Sequence, residues 1–293
     1  TRRSSDLSAF VQQFHDGFVM QAQQKESRLG VTVTSRGSIV GSAFTANDMG
    51  TIDPKQVTDR YADTDFTVPD TGVRQALMSD FDVAVPIDKF DLQKLLANPQ
   101  GEYMQNVIAG LNRKKDAVIY SALLGNALRK TDETAAYSNT ALPNAQIILN
   151  GGTGFTKAKI TLARKTFRKN EADGHAGEEL YMLYDGEMLD DILADTTLTN
   201  VDYMAVKMLQ EGDVGGKWMG FNWVPYEAFS DTGSVRTTAA YTKSALHFGV
   251  GADIQTDVGP RRDKKNLIQI YAALSVGAVR VNEKKVMKID FTY

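Results

Sequence analysis

The sequence predicts an α+β fold organised in more than one packed lobe. Three observations carry that expectation. The chain has 293 residues, more than one compact core usually organises. Segments with helical apolar spacing are interleaved with strand-like runs. Between them lies a long polar stretch, residues 28–86, whose strand-like pieces have few apolar residues with which to bury themselves. Hydrophobic residues at 42% and charged residues at 24% are ordinary for a soluble globular chain, which argues against disorder. No run approaches ~18 consecutive apolar residues, so no helical membrane span is expected.

Taken in order, Leu7, Phe10, Val11, Phe14 and Phe18 recur at three- and four-residue steps and predict an amphipathic helix from Ser5 to Lys25. It could pack on its own core or serve as an arm on a neighbouring copy, and its spacing fits both. Val31 to Thr34, Ser38 to Val40 and Asp80 to Val85 read as strands. Large apolar residues are sparse from Ala46 to Asp65, so this stretch is expected to project as a loop completed by a partner. Asp88 is an expected N-cap for a short helix carrying Leu92, Leu95 and Leu96, ended by Pro99-Gln100-Gly101. A longer helix follows to about Leu124, with Met104, Ile108, Leu111, Val118 and Ala122 on one stripe; ~24 residues give roughly 36 Å. Its other side carries Arg113, Lys114 and Lys115.

Residues 131–154 are rich in turn formers and predict a boundary. Beyond it come a helix from about Phe155, a strand from Glu179 to Tyr184, helices at Met188–Leu193 and Val201–Leu209, and hence a mixed second lobe. Leu267 to Val281 reads as a strand covered on both faces. It is expected to form a hairpin with Val286–Phe291 across the polar turn Asn282-Glu283-Lys284-Lys285.

The chemistry of known sites is thin. The absence of Cys excludes disulfides and thiolate metal sites, and a net charge of −3 gives no overall attraction for a phosphate backbone. His15, His175 and His247 are far apart in sequence and form no paired zinc motif. The run Gly151-Gly152-Thr153-Gly154 before a helix invites a phosphate-cradle reading, but the Walker spacing is missing and a turn accounts for it better. Asp63-Thr64-Asp65 and Asp80-Phe81-Asp82 lack the rest of a calcium loop. Neighbouring carboxylates at Glu178-Glu179 and Asp190-Asp191 point in different directions. No cofactor, metal or catalytic residue is expected, and the residues present at the amino terminus carry no signal-peptide pattern, so a cytoplasmic protein is expected.

Three groups of segments resemble the major capsid proteins of tailed phages, in the podovirus-like branch of the family whose fold is named after the phage Hong Kong 97. The first runs from Val85-Pro86-Ile87-Asp88-Lys89-Phe90-Asp91 through Ala109-Gly110-Leu111-Asn112-Arg113-Lys114-Lys115-Asp116 to Ala122-Leu123-Leu124-Gly125-Asn126-Ala127, and is similar to the family's long spine helix. The second, Glu187-Met188-Leu189-Asp190-Asp191-Ile192-Leu193 with Gly212-Asp213-Val214-Gly215 and Gly220-Phe221-Asn222-Trp223-Val224, resembles its axial domain. The third, Ile268-Gln269-Ile270 through Val276-Gly277-Ala278-Val279-Arg280-Val281 to Ile289, resembles its returning peripheral strands.

That resemblance implies an N-terminal arm at residues 1–27, an extended loop at 28–86, a peripheral domain with spine helix at 87–150, an axial domain at 151–255 and returning peripheral strands at 256–293. It implies a non-enzymatic shell protein assembling through hexamers and pentamers into an icosahedral head around double-stranded DNA, made in the host cytoplasm and resident in the virion. Self-association is the principal partnership implied, with scaffolding, portal or decoration proteins besides, packaged DNA touched without sequence preference, and no membrane. Phe10, Phe14, Arg36, Lys55, Arg60 and Arg74 are the expected contacts between copies, and Arg113, Lys114 and Lys115 an expected basic face of the spine helix. Some members of the family join a loop lysine to an asparagine with the help of a glutamate, and Lys55, Asn282 and Glu283 stand in the corresponding regions. Two alternatives stay open: an encapsulin-like compartment of the same fold, and a two-lobed α/β enzyme, which would need residues 30–86 packed on their own domain and a pocket of convergent polar groups.

Overall fold

The structure, a computed structural model, describes residues 21–57, 63–64, 66–87, 100–132, 134–194 and 216–293. Phe10, Phe14 and Arg60 lie outside the described residues, as do the expected helices after Asp88 and at Val201–Leu209 and most of the one beginning at Ser5. Residues 21–25, the end of that last helix, are irregular instead.

In chain order the strands are β1 (Thr34–Ser38), β2 (Ala43–Met49), β3 (Thr71–Leu77), β4 (Ser79–Ile87), β5 (Ala127–Lys130), β6 (Ser138–Thr140), β7 (Ile147–Ile148), β8 (Leu180–Tyr184), β9 (Lys217–Trp218), β10 (Phe221–Pro225), β11 (Ser230–Thr232), β12 (Val235–Thr242), β13 (Leu246–Arg261), β14 (Leu267–Arg280) and β15 (Val286–Thr292). The helices are α1 (Gln100–Leu124), α2 (Lys157–Lys169) and α3 (Gly186–Ala194). The chain divides into two compact units, one of residues 1–26, 81–113 and 254–274, the other of residues 27–80, 114–253 and 275–293.

In the first unit, residues 23–25 are tied to α1. Arg113 donates to Gln23 Oε1 at 2.5 Å, Asn112 donates to the Lys25 carbonyl at 2.9 Å, and Gln23 donates to Asn106 at 3.0 Å. At the turn between β13 and β14, Arg261 pairs with Asp263 and donates to Gln269, while Lys265 and Asn266 take left-handed backbone angles of 52° and 53°.

The second unit holds a seven-stranded sheet of order β7-β15-β12-β8-β10-β9, with β11 on β12. β7, β15, β8 and β10 run in one direction and β12 in the other. The connections β7–α2–β8 and β8–α3–β10 step the same way across the sheet, and right-handed crossovers therefore place α2 and α3 on the same face. Under α2, fully buried Ile160, Ala163 and Phe167 meet an aromatic layer: Phe167 lies edge-on to Phe221 at 6.0 Å, and Phe155 to Phe291 at 5.9 Å and Trp223 at 6.2 Å. Two smaller sheets have the orders β2-β3-β5-β6 and β1-β13-β14-β4.

Two sequence expectations are corrected here. β14 and β15 do not form a hairpin: they belong to different sheets, and residues 283–285 form a single 3-10 turn that carries the chain from one to the other. β14 is also not covered equally on both faces. Ile270, Ala272, Leu274 and Val276 are buried while the residues between them are half-exposed, the alternation of a strand with one packed face.

The entry of the chain into this unit is fixed by a buried carboxylate. Asp116 on α1 is inaccessible to solvent and accepts from Ser27 Oγ at 2.6 Å and from the backbone N–H groups of Arg28 and Leu29 at 3.0 and 3.2 Å. Leu29 is fully buried beside it, and the Thr32 hydroxyl meets that of Tyr241. Replacing Asp116 by Ala removes the acceptor of three donors, two of them backbone; the expected loss is roughly 2–4 kcal/mol in denaturant unfolding, with Asp116→Asn losing less.

Candidate functional site

Among the described residues of the stretch between 43 and 77, side chains divide into a buried set and an exposed one. At its base β2 and β3 pair antiparallel from Ala43↔Leu77 to Met49↔Thr71, and β3 continues onto β5. Their inner face is a small apolar cluster of Phe44, Ala46, Ala76, Ala127 and Val279, with Ile39, Met78 and Val281 packed around it. The base therefore buries itself, Ala46 at the start of the stretch expected to project included.

Above that cluster the sheet carries charge. Arg74 and Arg129 stand directly opposite on β3 and β5, a repulsive pairing on its own. The Asp48 carboxylate from β2 resolves it, accepting from both guanidinium Nε atoms at 2.9 Å, and Asp70 takes a further N–H of Arg129 at 3.1 Å. Gly72, the register partner of Asp48, makes the cluster possible: a Cβ there would overlap Asp48 Oδ1 and stand 2.6 Å from Arg129 Nε.

Arg74 then reaches the turn after β14. Its two terminal nitrogens donate to the two Glu283 oxygens, the Nη2–Oε2 distance being 2.8 Å, and Nη1 also donates to the Arg280 carbonyl at 3.2 Å. Arg280, fully buried, stands 3.6 Å from the same carboxylate and spends its guanidinium on backbone carbonyls of Leu123, Gly125 and Thr140 at 2.9, 2.6 and 3.0 Å. It thus caps the C-terminus of α1 and holds β6 to it. Burial works against the charge of both arginines. For Arg74 the hydrogen bonds and charges of Glu283 and Asp48 prevail and raise its pKa, whereas for Arg280 burial prevails, helped by the charge of Arg74, and lowers it. Arg74, expected as a contact between copies, is 3% exposed and fully committed within its own chain. Glu283 is likewise engaged, and Asn282 accepts from the Lys284 N–H.

Beyond the base the chain changes character. Met49, Val57, Phe66 and Val68 are 73%, 81%, 92% and 83% exposed, and Ile52 is half-exposed. Isolated exposed apolar residues are ordinary, but among the described residues between 49 and 68 five large apolar side chains stay in water, and each does so at a cost. Lys55 is exposed in the same stretch. Of the other expected contacts, Arg36 is exposed and donates to His247 Nδ1 at 3.1 Å; burial, with Arg36 adding to it, lowers the His247 pKa. Along α1, Arg113 and Lys114 are exposed, and Lys115 is half-buried and pairs with Asp253 at 2.7 Å.

Two further features of the sequence are engaged within the fold. The glycine-rich turn presents carbonyls, the opposite of a phosphate cradle: those of Asn150, Thr153, Gly154 and Asp290 surround the buried ammonium of Lys159 at 2.8–3.1 Å. Burial lowers the Lys159 pKa, against the pull of Asp191 and Asp290. Asp191 accepts from the Phe155 N–H at 2.6 Å while Asp190 is exposed, so those neighbouring acids diverge. Among the described residues no three His, Cys, Asp or Glu gather around a metal-sized position, and no helix is long and apolar enough to cross a membrane.

A family model described as "Phage capsid protein" matches residues 7–293. A search of curated protein sequences finds no match. Among solved structures, the chain is similar to a protein of Mycobacterium phage Che8 at a TM-score of 0.74 and 13% identity, covering 96% of this chain and 97% of that one. It is similar to the capsid of a native GTA particle at 0.73 and 10% identity, covering 99% and 98%. The capsid of Ralstonia phage GP4 matches at 0.69 and 11% identity, covering 100% and 98%. These likenesses bear out the α+β capsid fold of the Hong Kong 97 type expected from the sequence.

Two outcomes follow from the charged clusters. Glu283→Ala removes the carboxylate shared by two buried guanidiniums and is expected to cost roughly 3–5 kcal/mol in denaturant unfolding, since breaking a buried pair leaves an uncompensated charge. Burial alone would raise the pKa of Glu178, but hydrogen bonds from Lys285 at 2.5 Å and Ser244 at 2.6 Å outweigh it and lower the value from 4.5. A depressed carboxylate stabilises above its unfolded pKa and loses that contribution as pH falls through the folded one. Thermal melts from pH 6 down to about 3 should therefore fall less steeply for Glu178→Gln than for the unaltered chain.

Proposed function

Since the chain belongs to the phage capsid protein family, we propose that it is the repeating subunit of an icosahedral head, assembling through hexamers and pentamers around double-stranded DNA. The observation within the structure that carries the reading is the exposure of Met49, Ile52, Val57, Phe66 and Val68 beyond a self-buried base. Covering them by a further copy removes apolar surface from water at ~25 cal/mol per Å², and every copy supplies both these residues and the surface that receives them.

On this reading residues 1–27 are an arm, 28–86 an extended loop, 87–150 and 256–293 a peripheral domain, and 151–255 an axial domain. Lys55 and Arg36, both exposed, are contacts between copies, as are Phe10, Phe14 and Arg60. Arg113 and Lys114 face packaged DNA or a neighbouring subunit. The role is structural, with no reaction catalysed; scaffolding, portal or decoration proteins join the shell, which assembles in the host cytoplasm and remains in the virion. The family match over nearly the whole chain supports this more strongly than the enzyme alternative, whose convergent polar groups are here closed ion pairs.

Expression followed by electron microscopy and analytical ultracentrifugation is the test. Closed shells or capsomer rings are expected, and a chain that stays monomeric under every assembly condition tried would overturn the proposal. Shells that enclose a cargo peptide and exclude DNA would point to a compartment of the encapsulin type.

A further inference from the structure

Helices α2 and α3 lie on one face of the seven-stranded sheet and carry opposite charge. The 13 residues of α2 include Lys157, Lys159, Arg164, Lys165, Arg168 and Lys169 and no acid, in a chain whose net charge is −3. Lys159 is spent inside the fold, Arg164 on the Met219 carbonyl and Arg168 on Asp173. Lys157, Lys165 and Lys169 are exposed with no ion-pair partner among the described residues, and Ala158 and Leu162, the latter 45% exposed, lie between them. The 9 residues of α3 include Glu187, Asp190 and Asp191 and no base. Asp191 is engaged by the Phe155 N–H, while Glu187 and Asp190, three residues apart and so on one side of the helix, are exposed beside half-buried Leu189 and Leu193.

Each face thus sets exposed charge beside apolar side chains, cationic on α2 and anionic on α3, and neither is matched within its own copy among the described residues. Both features call for a partner, and the charge complement of each is present on every other copy of the chain. We propose that the basic face of α2 docks on the acidic face of α3 of the next subunit in the capsomer. This deepens, and rests on, the capsid reading. A contact between two different faces is heterologous, and where its rotation closes it makes a ring in which every copy gives one face and receives the other. Opposite charges at such a seam also select head-to-tail register, because the reversed arrangement sets like charges together.

The chain has no cysteine, which permits a direct test. One batch carries Lys165→Cys and another Asp190→Cys; the two are co-assembled and treated with a short bis-maleimide. The expected result is a covalent dimer formed only in mixed shells, absent when either batch is treated alone. Shells that form but yield no such dimer would overturn this inference while leaving the capsid reading intact; an unaltered chain that forms no shells would overturn both. In a second arm, Lys157→Glu, Lys165→Glu and Lys169→Glu together should lower the yield of particles at low salt by about tenfold or more, with Glu187→Lys and Asp190→Lys in the same chain restoring it. Unchanged yield in the reversed variant, including the case where particles form normally but retain less DNA, would count against a neighbouring copy as the occupant. Circular dichroism of the reversed subunits checks folding, and if they do not fold the cysteine pair decides.

Discussion

Arg74 and Arg280 enter the interior of one unit as two positive charges sharing the carboxylate of Glu283, and the surrounding structure is arranged to make that arrangement bearable. Asp48 supplies a second negative charge to Arg74, Gly72 leaves room for it, and three main-chain carbonyls accept from the two terminal nitrogens of Arg280. Buried ion pairs of this kind add little net stability compared with apolar residues of similar size, but they tolerate only one geometry. Here that geometry joins β3, the end of α1, β6 and the turn after β14, segments far apart in sequence. A hairpin anchored in this way has a fixed base from which its far end departs.

What the anchored base presents explains why it is anchored. Phe44, Ala46 and Ala76 meet Ala127 and Val279 in a cluster that buries the base, whereas Met49, Ile52, Val57, Phe66 and Val68 face water instead. A monomer gains nothing from exposing Phe66 or Val68. On the proposed capsid reading a further copy covers the same residues, and stability that the single chain lacks is recovered on association. Family membership and this division of the hairpin into a closed base and an open tip point the same way.

Much of the fold was legible in the sequence where one periodicity ran uninterrupted. The extent of α1, the strand at Leu180–Tyr184 and the helix with Met188 and Ile192 inward stand where spacing placed them, but the buried face of α1 runs through Val107, Leu111, Ile119 and Leu123, and of the expected stripe only Leu111 is buried. The misreadings have a common cause in contacts distant in sequence. An arginine in a polar stretch reads as exposed, and nothing near Arg74 announces that Glu283 lies against it. Two apolar runs around a polar turn read as a hairpin, and local pattern cannot tell that β14 and β15 enter different sheets. The carbonyl shell of Lys159 was hidden for the same reason, since one of its four oxygens comes from Asp290. Asp116 left the faintest trace: a lone acid following Lys114 and Lys115, whose burial depends on donors almost ninety residues earlier.

The central claim, a chain whose exposed hairpin end is completed by other copies of itself, is tested most directly by amide hydrogen exchange on residues 49–57 and 66–70 in dissociated subunits and in assembled particles. Exchange should be fast in subunits and strongly slowed in particles, while Arg74 and its neighbours in β3 stay protected in both. Exchange in that stretch equally fast in both states would contradict the claim, because the apolar residues would then remain in water after assembly.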